Sequence, residues 1–263
     1  MKNRGARLGQ HFLNAGWVAR DLIASLKIQP EETILEIGPG KGALTEELLA
    51  TGNPVVAVEK DEALCAQLRE KFSKEIASQK LTLIEDDVRN FDPEQFGLGQ
   101  YVLAANIPYY ITGEIIRQFL ETKRQPRAAA LLMQKEVAER IVAREGKESI
   151  LSLSVKAYGT PRIIAKVGKG CFNPPPSVDS AILLIENISR DSFTAISERD
   201  FFELVRAGFS SKRKLLANNI AHFDGRVLLA ACALPEKVRA EDVSLEKWLE
   251  LAASVSRSGI RSI

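Results

Sequence analysis

Short apolar runs rich in β-branched residues recur up to about residue 187, and stretches with helical spacing of apolar positions separate them. The runs are TILEI (Thr33 to Ile37), PVVAVE (Pro54 to Glu59), LTLIED (Leu81 to Asp86), YVLAANI (Tyr101 to Ile107) and AAALLM (Ala128 to Met133). Helical patterns follow most of them: ALTEELLAT, DEALCAQLREKF, GEIIRQFLE and KEVAERIVA. Near-continuous apolar strands alternating with helices predict an α/β fold whose parallel sheet is buried on both faces. ILSLSVKAYG (Ile150 to Gly159) reads as a further helix. Two more strands, RIIAKVG and AILLIE, follow with no helix between them, which predicts an antiparallel pair at one sheet edge.

The character changes after Asn187. ISRDSFTAISERD (Ile188 to Asp200) reads as a linker into a capped helix, and everything beyond reads as short helices: RDFFELVRAGF, KRKLLANNIA, DGRVLLAACAL and SLEKWLELAASV, the last with Ser244 as N-cap. The expected division is a domain over 1–187 and a small C-terminal helical domain over 188–263. The run Lys212, Arg213, Lys214 is expected to open the second of these helices.

Composition narrows the setting. Lys+Arg 36 against Asp+Glu 34 leaves a formal charge of only +2 over 263 residues, so any polyanion partner must be met by local charge. Two acid-free basic runs provide it: Lys2, Arg4 and Arg7 near the N-terminus, and Arg206 with Lys212, Arg213 and Lys214. A basic run by itself is usually just a solvated face; two without acids in an otherwise balanced chain point to a polyanion partner. Cys65, Cys171 and Cys232 are scattered and His11 and His222 isolated, so neither a zinc site nor a disulfide framework is expected. No signal sequence and no run long enough to span a bilayer is present, so a reduced, cytoplasmic monomer without metal or membrane is expected.

EIGPGKG (Glu36 to Gly42) joins the first strand to its helix. Glycines there permit a tight turn and close approach of a ligand, although a plain strand–helix turn uses them too. Glu59 ends the second strand, where nucleotide-binding folds place a carboxylate on ribose hydroxyls. Gly38, Gly40 and Gly42 give G-x-G-x-G, whereas the dinucleotide fingerprint is G-x-G-x-x-G. A ligand with a ribose but no pyrophosphate, such as S-adenosyl-L-methionine, fits better than a nicotinamide dinucleotide. Asp87 ends the third strand as a candidate acceptor for an adenine amine, or as an ordinary loop-initiating Asp.

The fourth strand delivers Asn106, Ile107, Pro108 and Tyr109 to the same edge. Asn106 supplies an amide oxygen, Pro108 stiffens the turn and is expected to leave carbonyls free as acceptors, and Tyr109 supplies a flat face. Together they suit a planar base with an exocyclic amine. Tyr110 fits the core better.

These residues resemble a known family. GQHFL (Gly9 to Leu13), EIGPGKG, VEKD, NIPYYIT, LLMQKEVAERIVA, FNPPPSVDSA and GFSSKRKLLANN occur in the order found in the ribosomal RNA adenine dimethyltransferases, most closely those of the bacterial KsgA type. The resemblance spans nearly the whole chain. It implies a Rossmann-like class I methyltransferase sheet with a helical RNA-binding domain. It implies that Gly38 lies against the methionine part of S-adenosyl-L-methionine, Glu59 on its ribose and Asp87 on its adenine, with His11 and Leu13 closing over the cofactor. Asn106 would sit between cofactor and target amine, and Tyr109 and Phe172 would sandwich the target adenine. His11 stands where the family often has Asn, and FNPPPS is more proline-rich than the family pattern. The implied partner is 16S rRNA within the assembling 30S subunit, dimethylated at two adjacent adenines of its 3′-terminal hairpin loop. The alternatives are the macrolide-resistance type acting on large-subunit RNA, a non-catalytic RNA-binding assembly factor, and a nicotinamide dehydrogenase.

Overall fold

A sheet of seven strands organises the described residues of the computed structural model, which are 11–108 and 111–258. The chain runs β1 (Phe12–Leu13), α1 (Gly16–Leu26), β2 (Thr33–Ile37), α2 (Ala43–Leu49), β3 (Val55–Glu59), α3 (Glu62–Lys71), α4 (Ser73–Ala77), β4 (Leu81–Glu85), β5 (Tyr101–Asn106) and α5 (Thr112–Glu121). It continues with β6 (Ala129–Gln134), α6 (Lys135–Ile141), α7 (Ile150–Lys156), β7 (Thr160–Val167), β8 (Phe172–Asn173) and β9 (Ser180–Glu186), then α8 (Glu198–Gly208), α9 (Leu216–Asn219), α10 (Gly225–Ala231) and α11 (Leu245–Ser258).

The sheet order is β4-β3-β2-β5-β6-β9-β7. The first five of these pair in parallel, and β9 runs antiparallel to both β6 and β7. The central strands β2, β3 and β5 are buried along almost their whole length, which is why no polar alternation marks them in the sequence. RIIAKVG and AILLIE form the expected antiparallel edge pair, with a register shift between Ile163 and Ala165. The residue pattern marks no element between Asn14 and Thr33, yet α1 lies there and buries Val18, Ala19, Leu22 and Leu26. Its N-cap is Ala15, which has no side-chain acceptor, so the usual start signal is missing.

The described residues divide into two units, one reaching to Ala138 together with Thr160–Ile188, the other Glu139–Gly159 together with the chain from Ser189 on. Only the crossing near residue 188 is visible as a change in composition. The helix α7 therefore groups with the second unit, because Leu153 and Ala157 share its core with Phe201, Leu204, Leu216 and Trp248. Gly208 is required there: a Cβ at that position would sit 2.3 Å from the Trp248 ring.

The basic run does not open a helix. Lys212, Arg213 and Lys214 form an exposed turn, and Leu215 is still extended before α9 begins. The Asn219 side chain holds that turn by donating to the carbonyls of Gly208 at 2.6 Å and Ser211 at 3.0 Å. Helical spacing from Lys212 onward is thus overridden by a side chain that ties the loop to the end of α8.

Candidate active site

Parallel strands release their loops at one edge, and ligands bind where the strand order reverses. Here that place is between β2 and β5. A cavity lies at this carboxyl edge, and it brings together Gly38, Glu59, Asn106, Pro108 and Phe172 with His11 and Leu13 from the N-terminal segment. Residues distant in sequence meet there because each strand ends at the same level of the sheet.

The glycine loop is built around Glu59. Gly38, Gly40 and Gly42 all have positive φ, at 65°, 59° and 78°. A Cβ on Gly38 would meet nothing within 4 Å, so the backbone there is bare toward the cavity. The Gly40 N–H donates to Glu59 Oε2 at 3.0 Å, and the N–H groups of Lys60 and Asp61 donate to Oε1, each at 2.9 Å. Three backbone donors thus fix a carboxylate that is 6% exposed, leaving acceptor capacity on Oε2. That arrangement fits a ribose diol.

Glu36, two residues before Gly38, is a feature that the motif spacing alone does not flag. It is buried, takes the Thr45 hydroxyl on Oε2 at 2.7 Å, and its Oε1 has no partner among the described residues. Burial pushes this carboxyl up to about 8, and the nearby charge of Glu59 adds to the effect. Its signal in the sequence is an acid inside an otherwise apolar strand.

Asn106 ends β5. Its Nδ2 donates to the main-chain carbonyl of His11 at 3.2 Å. A carbonyl can only accept, so this contact fixes which way the amide faces. The oxygen Oδ1 has no donor among the described residues and remains as the acceptor that this residue offers the cavity. The Pro108 carbonyl, expected to be free, is not: it accepts from Ile111 N–H at 3.2 Å and from the Thr112 hydroxyl at 3.4 Å. The turn that proline stiffens folds back on its own acceptor. Tyr109 and Tyr110 lie outside the described residues.

Phe172 is 3% exposed and still lines the cavity. It belongs to β8, which pairs antiparallel with β1 in the register Phe12 with Asn173 and Leu13 with Phe172. This short pairing covers the cavity with Phe12, which sequence spacing does not single out. The Phe12 ring lies 3.2 Å from where a Cβ on Gly40 would be, and Lys41 Nζ sits 4.6 Å from the ring centroid.

Asp87 does not line the cavity. Its carboxylate accepts from Lys60 Nζ at 2.7 Å, from Arg89 Nε at 2.9 Å and from the Arg89 N–H at 3.1 Å. The Arg89 side chain, aided by Lys60, holds this carboxyl well below the usual carboxylate range. In the second unit, Arg206, Lys212, Arg213 and Lys214 are exposed, and none of the four is ion-paired among the described residues.

Among the described residues, no group of His, Cys, Asp and Glu is placed to hold a metal ion, and no helix is long and apolar enough to cross a membrane.

Comparison with known proteins bears on the family and the fold. Residues 1–256 match the family model of ribosomal RNA adenine dimethylase. A protein of Dehalococcoides mccartyi (strain CBDB1) named ribosomal RNA small subunit methyltransferase A is 43% identical over 253 residues, covering 93% of this chain and 86% of the relative. The crystal structure of a dimethyladenosine transferase from Plasmodium falciparum matches with a TM-score of 0.81 at 25% identity, over 95% of this chain and 98% of that one. The crystal structure of 23S rRNA methyltransferase ErmE shares the fold, with a TM-score of 0.74 at 24% identity over 93% and 99% of the two chains. Matched by the family over almost its whole length and by a relative at better than two residues in five, the chain belongs to the ribosomal RNA adenine dimethylases.

Proposed function

We propose that this chain transfers methyl groups from S-adenosyl-L-methionine to the exocyclic amines of two adjacent adenines in the 3′-terminal hairpin loop of 16S rRNA, giving dimethyladenosines within the assembling 30S subunit. The observation that carries this reading is the fixed amide of Asn106, which offers an acceptor in a cavity shared with the Gly38 loop, Glu59 and Phe172. The choice of small-subunit RNA is supported by the name of the 43% identical relative, ribosomal RNA small subunit methyltransferase A.

The residues present fit the cofactor. Glu59, held by three backbone donors, accepts from the ribose hydroxyls, and the bare backbone at Gly38 admits the methionine part. Leu13 of β1 and His11 just before it close over the cofactor. Asp87, on the neighbouring strand end and oriented by Lys60 and Arg89, is the acceptor nominated for the adenine. Bound there, S-adenosyl-L-methionine supplies a methyl carbon made electrophilic by its sulfonium charge.

The chain's own contribution is positional. The lone pair of an adenine amine is delocalised into the ring. Asn106 Oδ1 would accept one amine N–H and draw the nitrogen toward tetrahedral geometry, freeing its lone pair to take the methyl group that the bound cofactor would supply. Phe172 holds one face of the base, and Tyr109 is nominated for the other. The methylated nitrogen is strongly acidic and releases its proton to water, so no strong general base is needed. Positioning of this kind supplies several kcal/mol, on the order of those seen in intramolecular reactions. Arg206, Lys212, Arg213 and Lys214 are proposed as phosphate contacts, and the enzyme is proposed to act as a cytoplasmic monomer without metal.

The test is methyl transfer from labelled cofactor to purified unmethylated small and large ribosomal subunits, side by side, with modified bases mapped by mass spectrometry. Dimethylation of the two adjacent adenines in 16S rRNA is expected. Efficient methylation of large-subunit RNA with the small subunit untouched would overturn the proposal.

A further inference from the structure

The segment from His11 to Asn14 reaches Asn106, the glycine loop and the Phe172 strand. Its His11 carbonyl receives the Asn106 amide at 3.2 Å. Its Phe12 ring lies over Gly40, within 3.2 Å of the Cβ position. Its Leu13 is in register with Phe172, and the Asn14 N–H donates to the Cys171 carbonyl at 3.0 Å. The His11 ring closes the other end: Nδ1 lies 2.8 Å from the Pro174 carbonyl, which can only accept, so Nδ1 carries the proton.

We propose that this segment is a positioning strap and that His11 is the residue that pins it: one short strand sets both the acceptor that receives the target amine and the aromatic face that receives the target base. This deepens the methyl-transfer reading and rests on it. The physical argument has two parts. An Asn amide has no intrinsic preference between its two ends, so a loosened His11 carbonyl lets Asn106 present a donor where an acceptor is needed. Moreover, β1 and β8 form a separate two-stranded sheet, a unit that is marginal without further ties. The Nδ1 contact to Pro174 is such a tie, placed one residue beyond the last register pair on each strand. His11 thus acts through Asn106 and Phe172, and it is a positioning residue whatever it also contributes against the cofactor.

The test uses the full chain. His11→Ala should lower kcat by about two- to tenfold at saturating cofactor and saturating small subunit, the range for one lost hydrogen bond. A loss confined to KM for the cofactor would overturn the strap and leave His11 a simple ligand. Rescue separates positioning from direct contact. Asn14 faces Cys171 across the strand pair, and the other two cysteines, Cys65 and Cys232, are buried. In the double variant His11→Ala, Asn14→Cys, oxidation to the Cys171 disulfide staples the strap without the ring. The stapled protein should regain the kcat of the oxidised Asn14→Cys single variant and lose it again on reduction. No gain on oxidation would sink the idea. The rate of disulfide closure gives a readout independent of activity: it should be faster in Asn14→Cys than in the double variant, and equal rates would show that the ring pins nothing. If the parent enzyme methylates neither subunit, the proposed function fails, and the closure rates still decide the strap.

Discussion

Replacing Glu36 with Gln should remove a pH dependence from the stability of the first unit. Glu36 is 1% exposed, receives the Thr45 hydroxyl at 2.7 Å, and has an unpartnered Oε1. Burial raises its carboxyl from 4.5 to about 8. The folded chain therefore keeps a proton through neutral pH that the unfolded chain releases above about 4.5. A raised folded-state value means stability that is whole below the unfolded value and lost as pH climbs through the folded one. The slope is about 1.4 kcal/mol per pH unit, and the whole window amounts to at most on the order of 5 kcal/mol. Gln preserves the shape, keeps an acceptor for Thr45 and cannot ionise. Urea unfolding between pH 5 and 8.5, followed by circular dichroism and by tryptophan emission in a Trp248→Phe background that leaves Trp17 on α1 as the reporter, measures the difference. The wild type should lose stability relative to Glu36→Gln as pH rises. All other titrating groups are shared by the two proteins, so matching pH profiles would show that Glu36 ionises in the ordinary range.

Glu59→Ala removes the acceptor of three backbone donors, and calorimetry should show cofactor affinity weaker by roughly tenfold or more, as for a charge-assisted hydrogen bond; unchanged affinity in a folded variant would clear Glu59 of that role. Phe172→Ala should slow methyl transfer by the equivalent of about 1–3 kcal/mol of base stacking while cofactor affinity holds; parallel loss of both would make Phe172 structural. Changing Lys212, Arg213 and Lys214 together to Gln should flatten the salt dependence of RNA binding by about 0.7–0.9 log units per lost phosphate contact, and an unaltered slope would return the turn to solvent. Gly42→Ala places a Cβ 2.6 Å from the Phe72 ring at a φ of 78°, so thermal melting should report a loss of about 1–3 kcal/mol.

The strands of the sheet are legible because burial on both faces leaves runs such as VVAV and VLAA without polar interruption. The site residues at their ends are legible for the same reason, since Gly38, Glu59 and Asn106 each follow or end such a run. What sequence does not carry is how side chains divide between ligand and protein. Asp87 stands near a strand end as Glu59 does, yet it is oriented by the side chains of Arg89 and Lys60, which spacing does not announce, rather than by backbone donors alone. Pro108 reads as a device for freeing acceptors, yet its carbonyl closes the turn it begins. Phe12 becomes a cover for the glycine loop only through pairing with Asn173, far along the chain. The helix α1 lacked a cap to announce it, and the turn at Lys212 is imposed by Asn219, whose reach is tertiary.

The second unit is assembled from an internal excursion, Glu139–Gly159, and the chain from Ser189 onward. Leu153 and Ala157 from the excursion complete a core otherwise built from residues 196–255. Modularity is therefore not linear along the gene. A hybrid that grafts only the C-terminal segment of one family member onto another would mate Phe201, Leu216 and Trp248 with a foreign α7, and mismatched packing there would be mistaken for a change in RNA preference. Exchange of substrate range between relatives has to carry two cassettes that recombine together, with the strands β7 to β9 left between them.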